Sequence, residues 1–231
     1  MNNLYNKIKF PAAFFMGLVI TFTACSKKSD DNSSITTAGI AVLHAAPGLP
    51  AIDFYLQGSK INKLIPISYT DTITYRYAYP ADYPVVIKKY LSAITYITDT
   101  ITLASGKNYT LCVTGTPDAV KPLILEDDLT APASGKSKVR FVNLSPDAPA
   151  LDVKFNNETK YTNQAYKSST AFSSIDTATY TVSLLATGSS TTLSQQALKF
   201  ESGKIYTVYA KGLQSTAVDS LKLSVGVMGN K

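Results

Sequence analysis

Apolar and polar positions alternate with a period of two along most of the chain from about residue 38 onward. In 51–57, Ile52, Phe54 and Leu56 share one face, and Asp53, Tyr55 and Gln57 the other. In 151–155 the apolar face is Leu151, Val153 and Phe155. In 72–79, Ile73, Tyr75, Tyr77 and Tyr79 alternate with Thr72, Thr74, Arg76 and Ala78. This period is that of strands with one buried face. Gly, Pro, Asn and Asp clusters break the pattern roughly every ten residues, the punctuation of a β-sandwich. No stretch sustains a helical period with caps. The pattern predicts an all-β chain.

The pattern is also written twice. Ile40-Ala41-Val42-Leu43-His44-Ala45-Ala46-Pro47-Gly48-Leu49-Pro50-Ala51-Ile52-Asp53-Phe54 aligns with Val139-Arg140-Phe141-Val142-Asn143-Leu144-Ser145-Pro146-Asp147-Ala148-Pro149-Ala150-Leu151-Asp152-Val153 at an offset of 99. Ser105-Gly106-Lys107-Asn108-Tyr109-Thr110 aligns with Ser202-Gly203-Lys204-Ile205-Tyr206-Thr207 at 97, and Tyr83–Ile87 aligns with Tyr180–Leu184 at the same 97. Three ordered matches predict two tandem domains. The first covers 38–130 and the second 138–231, with 131–137 as a linker. In each, the two prolines end the first strand, because Pro offers no N–H to a ladder. Ser-Gly-Lys places Gly where a hairpin wants positive φ. Tyr109 and Tyr206 are expected to cover the core edge with the hydroxyl at its rim.

The N-terminus reads differently. Residues 1–24 carry only Lys7 and Lys9, then an apolar run from Phe10 to Ile20. That run falls short of the ~20 residues of a transmembrane helix and suits an export signal. Phe22-Thr23-Ala24-Cys25 resembles the lipobox of bacterial lipoproteins, with Phe22 where Leu is usual. The resemblance implies acylation of Cys25, a palmitate-type anchor in the outer membrane. Residues 25–37 form a polar tether. Its acids resemble the surface-export signal of Bacteroidetes lipoproteins, which implies display at the cell surface.

Composition narrows the chemistry. The 231 residues are 45% hydrophobic and 16% charged, so the chain is not a self-repelling disordered one. Removing residues 1–24 leaves 20 cations against 16 acids, a charge of +4. The cations are scattered, which argues against a nucleic-acid partner. One His and two Cys leave little for metal sites, His-dependent catalytic constellations or a disulfide framework.

The doubled landmarks, above all Val139–Val153, resemble a family of exported bacterial proteins known as domain of unknown function 4397 (DUF4397). The family usually has His at the place of His44 and Asn143. Gly48 stands where the second unit has Asp147. The resemblance spans nearly all of the mature chain and implies tandem immunoglobulin-like β-sandwiches after a lipoprotein signal peptide. It brings no established activity.

Candidate chemistry is sparse. His44 ends a strand, and its counterpart Asn143 keeps hydrogen bonding without acid–base capacity, which points to turn support. Asp53 and Asp152 recur, yet each unit supplies one carboxylate there, too few for Ca²⁺. Gly135-Lys136-Ser137 imitates the end of a P-loop, but Thr130 stands where the first Gly is required. Cys112 reads as a buried thiol. Tyr75, Tyr77 and Tyr79, on one predicted face, offer a platform for sugar rings. Thr72, Thr100, Thr177 and Ser220 follow Asp and precede an apolar residue, a pattern resembling Bacteroidetes O-glycan acceptors. The expectation is a non-enzymatic envelope lipoprotein that binds or displays through adhesion, glycan capture or scaffolding. No catalytic residue, metal or cofactor is assigned. Its partners are the membrane, through the lipid anchor, and a glycan or envelope proteins. The competing reading is an accessory subunit or an unrecognised hydrolase of the envelope.

Overall fold

The structure, a computed structural model, describes residues 36–231. The expected signal, Cys25 and the start of the tether lie outside the described residues. The first half contains β1 (Ala38–His44), β2 (Ile52–Leu56), β3 (Ser59–Lys60), β4 (Thr72–Ala78), β5 (Ala81–Lys89), β6 (Thr95–Leu103), β7 (Asn108–Thr116) and β8 (Ala119–Asp127). The second contains β9 (Lys136–Asn143), β10 (Leu151–Phe155), β11 (Glu158–Gln164), β12 (Ser173–Asp176), β13 (Thr179–Ala186), β14 (Thr192–Lys199), β15 (Ile205–Lys211) and β16 (Ser224–Gly229). One 3-10 turn, Asp219–Leu221, precedes β16, and no α-helix occurs among the described residues.

The chain is all-β, as the alternation predicts, and forms two tandem sandwiches. In the first, sheet β4-β1-β7-β8 faces sheet β3-β2-β5-β6. In the second, sheet β12-β9-β15-β16 faces sheet β11-β10-β13-β14. The plan is one plan used twice. β1 runs parallel to β7 with Ile40 opposite Tyr109, and β9 runs parallel to β15 with Val139 opposite Tyr206, the same register in each. Each sandwich has its own core, around Phe54 and Ile87 in the first and Phe141 and Phe200 in the second. Tyr109 and Tyr206 behave alike, each hydroxyl accepting the N–H that opens the Ser-Gly-Lys turn before its strand, from Ala104 (3.4 Å) and Glu201 (3.2 Å). That turn carries the chain from one sheet to the other and is not a hairpin.

Two expectations need correction. β9 begins at Lys136, so Lys136 and Ser137, expected in the linker, belong to the second sandwich. Ser137 is buried there and pairs with Ile175 of β12. The face read along 72–79 is also broken: Tyr75 and Tyr77 share it over Gly39, but Ile73 does not. Arg76 sits opposite Ile40 while Ile73 sits opposite Val42, so β4 holds an extra residue between them. This β-bulge flips the alternation. Ile73 packs on the first core, whereas Tyr75 packs between the sandwiches.

The two sandwiches press sheet β4-β1-β7-β8 against sheet β12-β9-β15-β16. Ala41, Leu43, Cys112 and Leu125 from one meet Val142, Leu144, Tyr209 and Met228 from the other. β1 is therefore buried on both faces, which explains its unbroken apolar run. A polar network crosses this apolar layer. Thr110 donates to Asp127 (2.6 Å), and its counterpart Thr207 donates to Asn230 (2.7 Å). The Tyr75 hydroxyl donates to Asp127 (2.6 Å) and accepts from Asn230 (3.0 Å). Arg140 pairs with Asp127, donates to Thr207 (2.9 Å) and to the Glu126 carbonyl (3.0 Å), and stacks on Phe172 at 4.6 Å. Burial pushes the Asp127 carboxyl up, against the pull of the Arg140 guanidinium and the Thr110 and Tyr75 hydroxyls. Among the described residues no buried side-chain N or O atom lacks a partner.

Candidate functional site

The edges of the two sandwiches differ, and the difference makes a groove. In the second, β11 is seven residues long. Its Tyr161, opposite Val153, crosses from one sheet to the other. The ring stacks on Phe141 (6.3 Å) and meets Phe155 edge-on (6.2 Å). Its hydroxyl donates to the Val139 carbonyl (3.3 Å) and contacts Ser173 Oγ (3.1 Å). Burial raises the pKa of this phenol. Tyr161 closes the gap between β11 and β12.

In the first sandwich β3 stops after two residues. Ile61 donates its N–H to the Phe54 carbonyl (2.8 Å), and Phe54 is the counterpart of Val153. Ile61 thus stands where Tyr161 stands, and Arg76 takes the register of Ser173. The smaller side chain leaves a groove of about 920 Å³ between the 61–71 segment and β4. Ile61, Ile65, Ile67 and Ile73 give it apolar walls, and Thr70, Thr72 and Thr74 line it with hydroxyl-bearing side chains. Lys63 and Arg76 supply cations beside the carboxylate of Asp71, and Lys60 lines the groove while paired with Asp53. The lining suits an extended, hydroxylated, anionic molecule with apolar faces.

Asp53 fixes the groove's floor. It accepts from Asn62 (2.9 Å) and from the Leu91 N–H (3.1 Å), and it pairs with Lys60 at 2.8 Å. Burial works against its ionisation, but Lys60, Asn62 and Leu91 outweigh this and hold the carboxyl below its ordinary value. Its counterpart Asp152 accepts from the N–H groups of Asn163 (2.9 Å) and Gly188 (3.1 Å), so both act as loop clamps.

Of the proposed sugar platform, Tyr75 is taken up by the buried network between the sandwiches. Tyr77 and Tyr79 are each 66% exposed. Tyr77 lies opposite Gly39, and a Cβ on Gly39 would sit 3.2 Å from its ring. None of the three lines the groove. Tyr75 and Tyr77 share a face, but the second sandwich covers Tyr75, so the three do not form an exposed ladder. Thr72, Thr100, Thr177 and Ser220 are all exposed. Thr177 donates to the Gly135 carbonyl (2.8 Å). Cys25 lies outside the described residues.

His44 is fully buried, accepts the Ala46 N–H at Nδ1 (3.3 Å) and lies 3.3 Å from the Pro50 carbonyl through Nε2. Asn143 accepts the matching N–H, that of Ser145, at 3.1 Å. Burial lowers the His44 pKa, and with both ring nitrogens engaged it supports the turn. The Asp147/Gly48 difference also has a partner. Asp147 accepts the N–H groups of Gln214 (2.8 Å) and Ser215 (2.9 Å). In the first repeat Pro117 stands at the place of Gln214 with no N–H to give, and a Cβ on Gly48 would meet its ring at 3.6 Å. Cys112 is buried and unpaired between the sandwiches. Among the described residues no three His, Cys, Asp or Glu side chains converge as a metal site would require.

The 61–71 groove was missed in the sequence because the two-residue gap between the offsets falls there. Counting forward from Asp53 and Asp152 would have set Lys60-Ile61-Asn62-Lys63 against Lys160-Tyr161-Thr162-Asn163 within one position and exposed the exchange.

Comparison with known proteins gives one family. The profile described as Domain of unknown function (DUF4397) matches residues 38–154 and again 145–225. No curated protein matches the chain. Among solved structures, the crystal structure of CBMbc (family CBM26) from Eubacterium rectale Amy13K in complex with maltoheptaose is similar at a TM-score of 0.26. It is 9% identical, and the match covers 84% of this chain and 96% of that one. A likeness of that degree bears on neither the fold nor a ligand.

Proposed function

The chain belongs to the family described as Domain of unknown function (DUF4397), and on that premise we propose that it is a non-enzymatic binding module of the cell envelope. Its ligand lies in the groove of the first sandwich. The second sandwich is the fixed support that holds the first. The observation that carries this reading is the exchange of Tyr161 for Ile61. One edge of a repeated plan is plugged and the other is open and lined with the cations of Lys63 and Arg76. A ligand of acidic glycan type, with carboxylates or sulfates for Lys63 and Arg76 and ring C–H faces for the isoleucines, fits this lining. In this reading Cys25 carries the lipid anchor in the outer membrane, and the tether holds the groove at the cell surface. More than one acyl chain on Cys25 would make the attachment stable, at ~0.8 kcal/mol per buried CH₂.

The test is an array of acidic and neutral glycans probed with the intact protein. Binding to acidic members, weakened by salt and reduced by Arg76→Ala and Lys63→Ala, is the expected result. Equal binding to neutral members, or no loss in either variant, would remove the groove reading. Cys25→Ala should release the protein from the membrane fraction.

A further inference from the structure

The first sandwich carries an apolar tip beside the groove that the fold does not need. Leu64 is 82% exposed, Ile65 75%, Leu91 73% and Ile94 54%. They sit on two neighbouring loops, 61–71 and 90–94. Hydrogen bonds lace these loops together. Tyr90 donates its hydroxyl to the Leu64 carbonyl (2.8 Å). Asn62 donates to the Ile65 carbonyl (2.6 Å) and to Asp53 (2.9 Å), and Asp53 also accepts the Leu91 N–H. The tip is therefore a built surface.

The repeat gives the control. The counterparts of Leu91–Ile94 are Gly188, Ser189, Ser190 and Thr191, small or polar throughout. Leu91 also occupies a left-handed backbone conformation, with φ of 51°, where the second repeat has Gly188 at 76°. A large apolar residue is held in water, in a conformation that L side chains resist. Both features are unfavourable for the free protein, and a strained residue kept against cost points to function.

The charges choose the occupant. Lys63 stands beside Leu64, its backbone also left-handed at 48°. Lys88 and Lys89 lead into the second loop, and Lys60 lies over the Tyr90 ring at 5.1 Å. Of the nearby carboxylates, Asp53 is already paired with Lys60, and Asp71 at the end of the first loop accepts the Ser68 N–H. A second copy of the tip would be repelled by the same lysines. Projecting apolar side chains with lysines in and next to their loops, and an interfacial Tyr, match the apolar–anionic boundary of a bilayer. We propose that Leu64, Ile65, Leu91 and Ile94 insert into the interface of an anionic lipid surface while the lysines meet its headgroups. This second contact would fix the orientation of the first sandwich; Lys60, Lys63 and Ile65 border both it and the groove, whereas Leu64, Leu91 and Ile94 belong to the tip alone.

The chain contains no Trp, so single Trp probes read the contact directly. Leu64→Trp and Ile94→Trp are placed in the full chain, reconstituted into vesicles of phosphatidylglycerol with phosphatidylethanolamine or of phosphatidylcholine alone. Ser105→Trp, at the opposite end of β1, is the control. Emission from the two tip probes is expected to shift to shorter wavelength in the anionic vesicles and to lose most of its intensity to brominated acyl chains. The control should stay water-like. Each of Lys63→Ser and Lys88→Ser should lower the docked-to-free ratio about fivefold. Leu91→Gly should lower it while leaving the fold intact, and Arg76→Ala should leave the tip signal unchanged. Water-like emission at both tip positions in every vesicle would overturn the proposal. So would an equal shift in neutral vesicles, an equal shift at the control, or a concentration-dependent shift without lipid. The same shift produced by poly-glutamate without lipid would assign the tip to a protein partner and overturn it too.

Discussion

At the side of the second sandwich the Tyr161 ring bridges two sheets and its hydroxyl reaches the Val139 carbonyl; at the same place in the first, Ile61 and Arg76 border an open groove. Strand order, parallel register, the Asp53/Asp152 clamp and the His44/Asn143 turn support are shared. What the halves share lies in the core and its turns. The differences that open new surface on the first half lie at one edge and one tip; the second half differs in the longer β15–β16 connection that Asp147 holds. Duplication lets one copy keep the fold while the other accumulates exposed features that folding alone would not favour.

The largest expected effects lie where the halves meet. Arg140→Ala or Asp127→Ala leaves a buried partner charged and unmatched, a loss of about 3–5 kcal/mol. Replacing both by Met and Leu should cost far less, since a buried ion pair contributes little net stability over a well-packed apolar pair. Chemical denaturation of the three proteins checks this. A loss under 0.5 kcal/mol in the single variants, the scale of ordinary surface changes, would mean that the network does not hold the sandwiches together.

The edge residues sharpen the contrast by exchange. Tyr161→Ile removes a half-buried ring and should cost roughly 1–3 kcal/mol. Ile61→Tyr fills open space and should stay within about 0.5 kcal/mol of the parent. At the tip, Leu91→Asn relieves a left-handed backbone that Asn tolerates. It should raise stability by roughly 1 kcal/mol, read as a shift in the denaturation midpoint. A destabilised variant would mean that Leu91 is held by contacts in the free protein.

Titration separates the halves next. The folded His44 stays neutral below its ordinary value of 6.5, so its contribution is complete above pH 6.5 and is lost as pH falls below it. His44→Asn, which copies the second repeat, should remove that slope while keeping the Ala46 N–H bonded. His44→Leu should remove it at a cost of about 1–3 kcal/mol for the orphaned donor. A slope that persists in His44→Asn would place its origin elsewhere. The smallest effect concerns Asp128, whose carboxyl is lowered to about 2 mainly by the Lys138 ammonium and the Thr130 hydroxyl. Its contribution is complete above the ordinary value of 3.8 and fades as pH falls toward about 2. Asp128→Asn should flatten only that acid limb.

Much of this architecture is legible in the alternation of Ile52, Phe54 and Leu56 and in the doubled Pro-x-x-Pro-Ala landmark, because strand period and turn chemistry are local. The departure of Ile73 from the face of Tyr75 and Tyr77 is not legible locally, because a bulge depends on the partner strand. Arg140 stands in plain view between Val139 and Phe141. Its partner Asp127 lies 13 residues earlier on the other sandwich, and only the packing of the two sheets buries both. The groove depends on a side chain that is small where its counterpart is large, a difference visible only once the repeats are set in three-dimensional register. The tip was hidden because Leu64 and Leu91 look like core residues until their loops are placed.

The most direct measurement is a titration of the intact protein and its Ile61→Tyr variant with an acidic glycan that the array selects. Installing the second repeat's plug should abolish binding while the denaturation midpoint stays in place. Undiminished binding by the plugged variant would contradict the account.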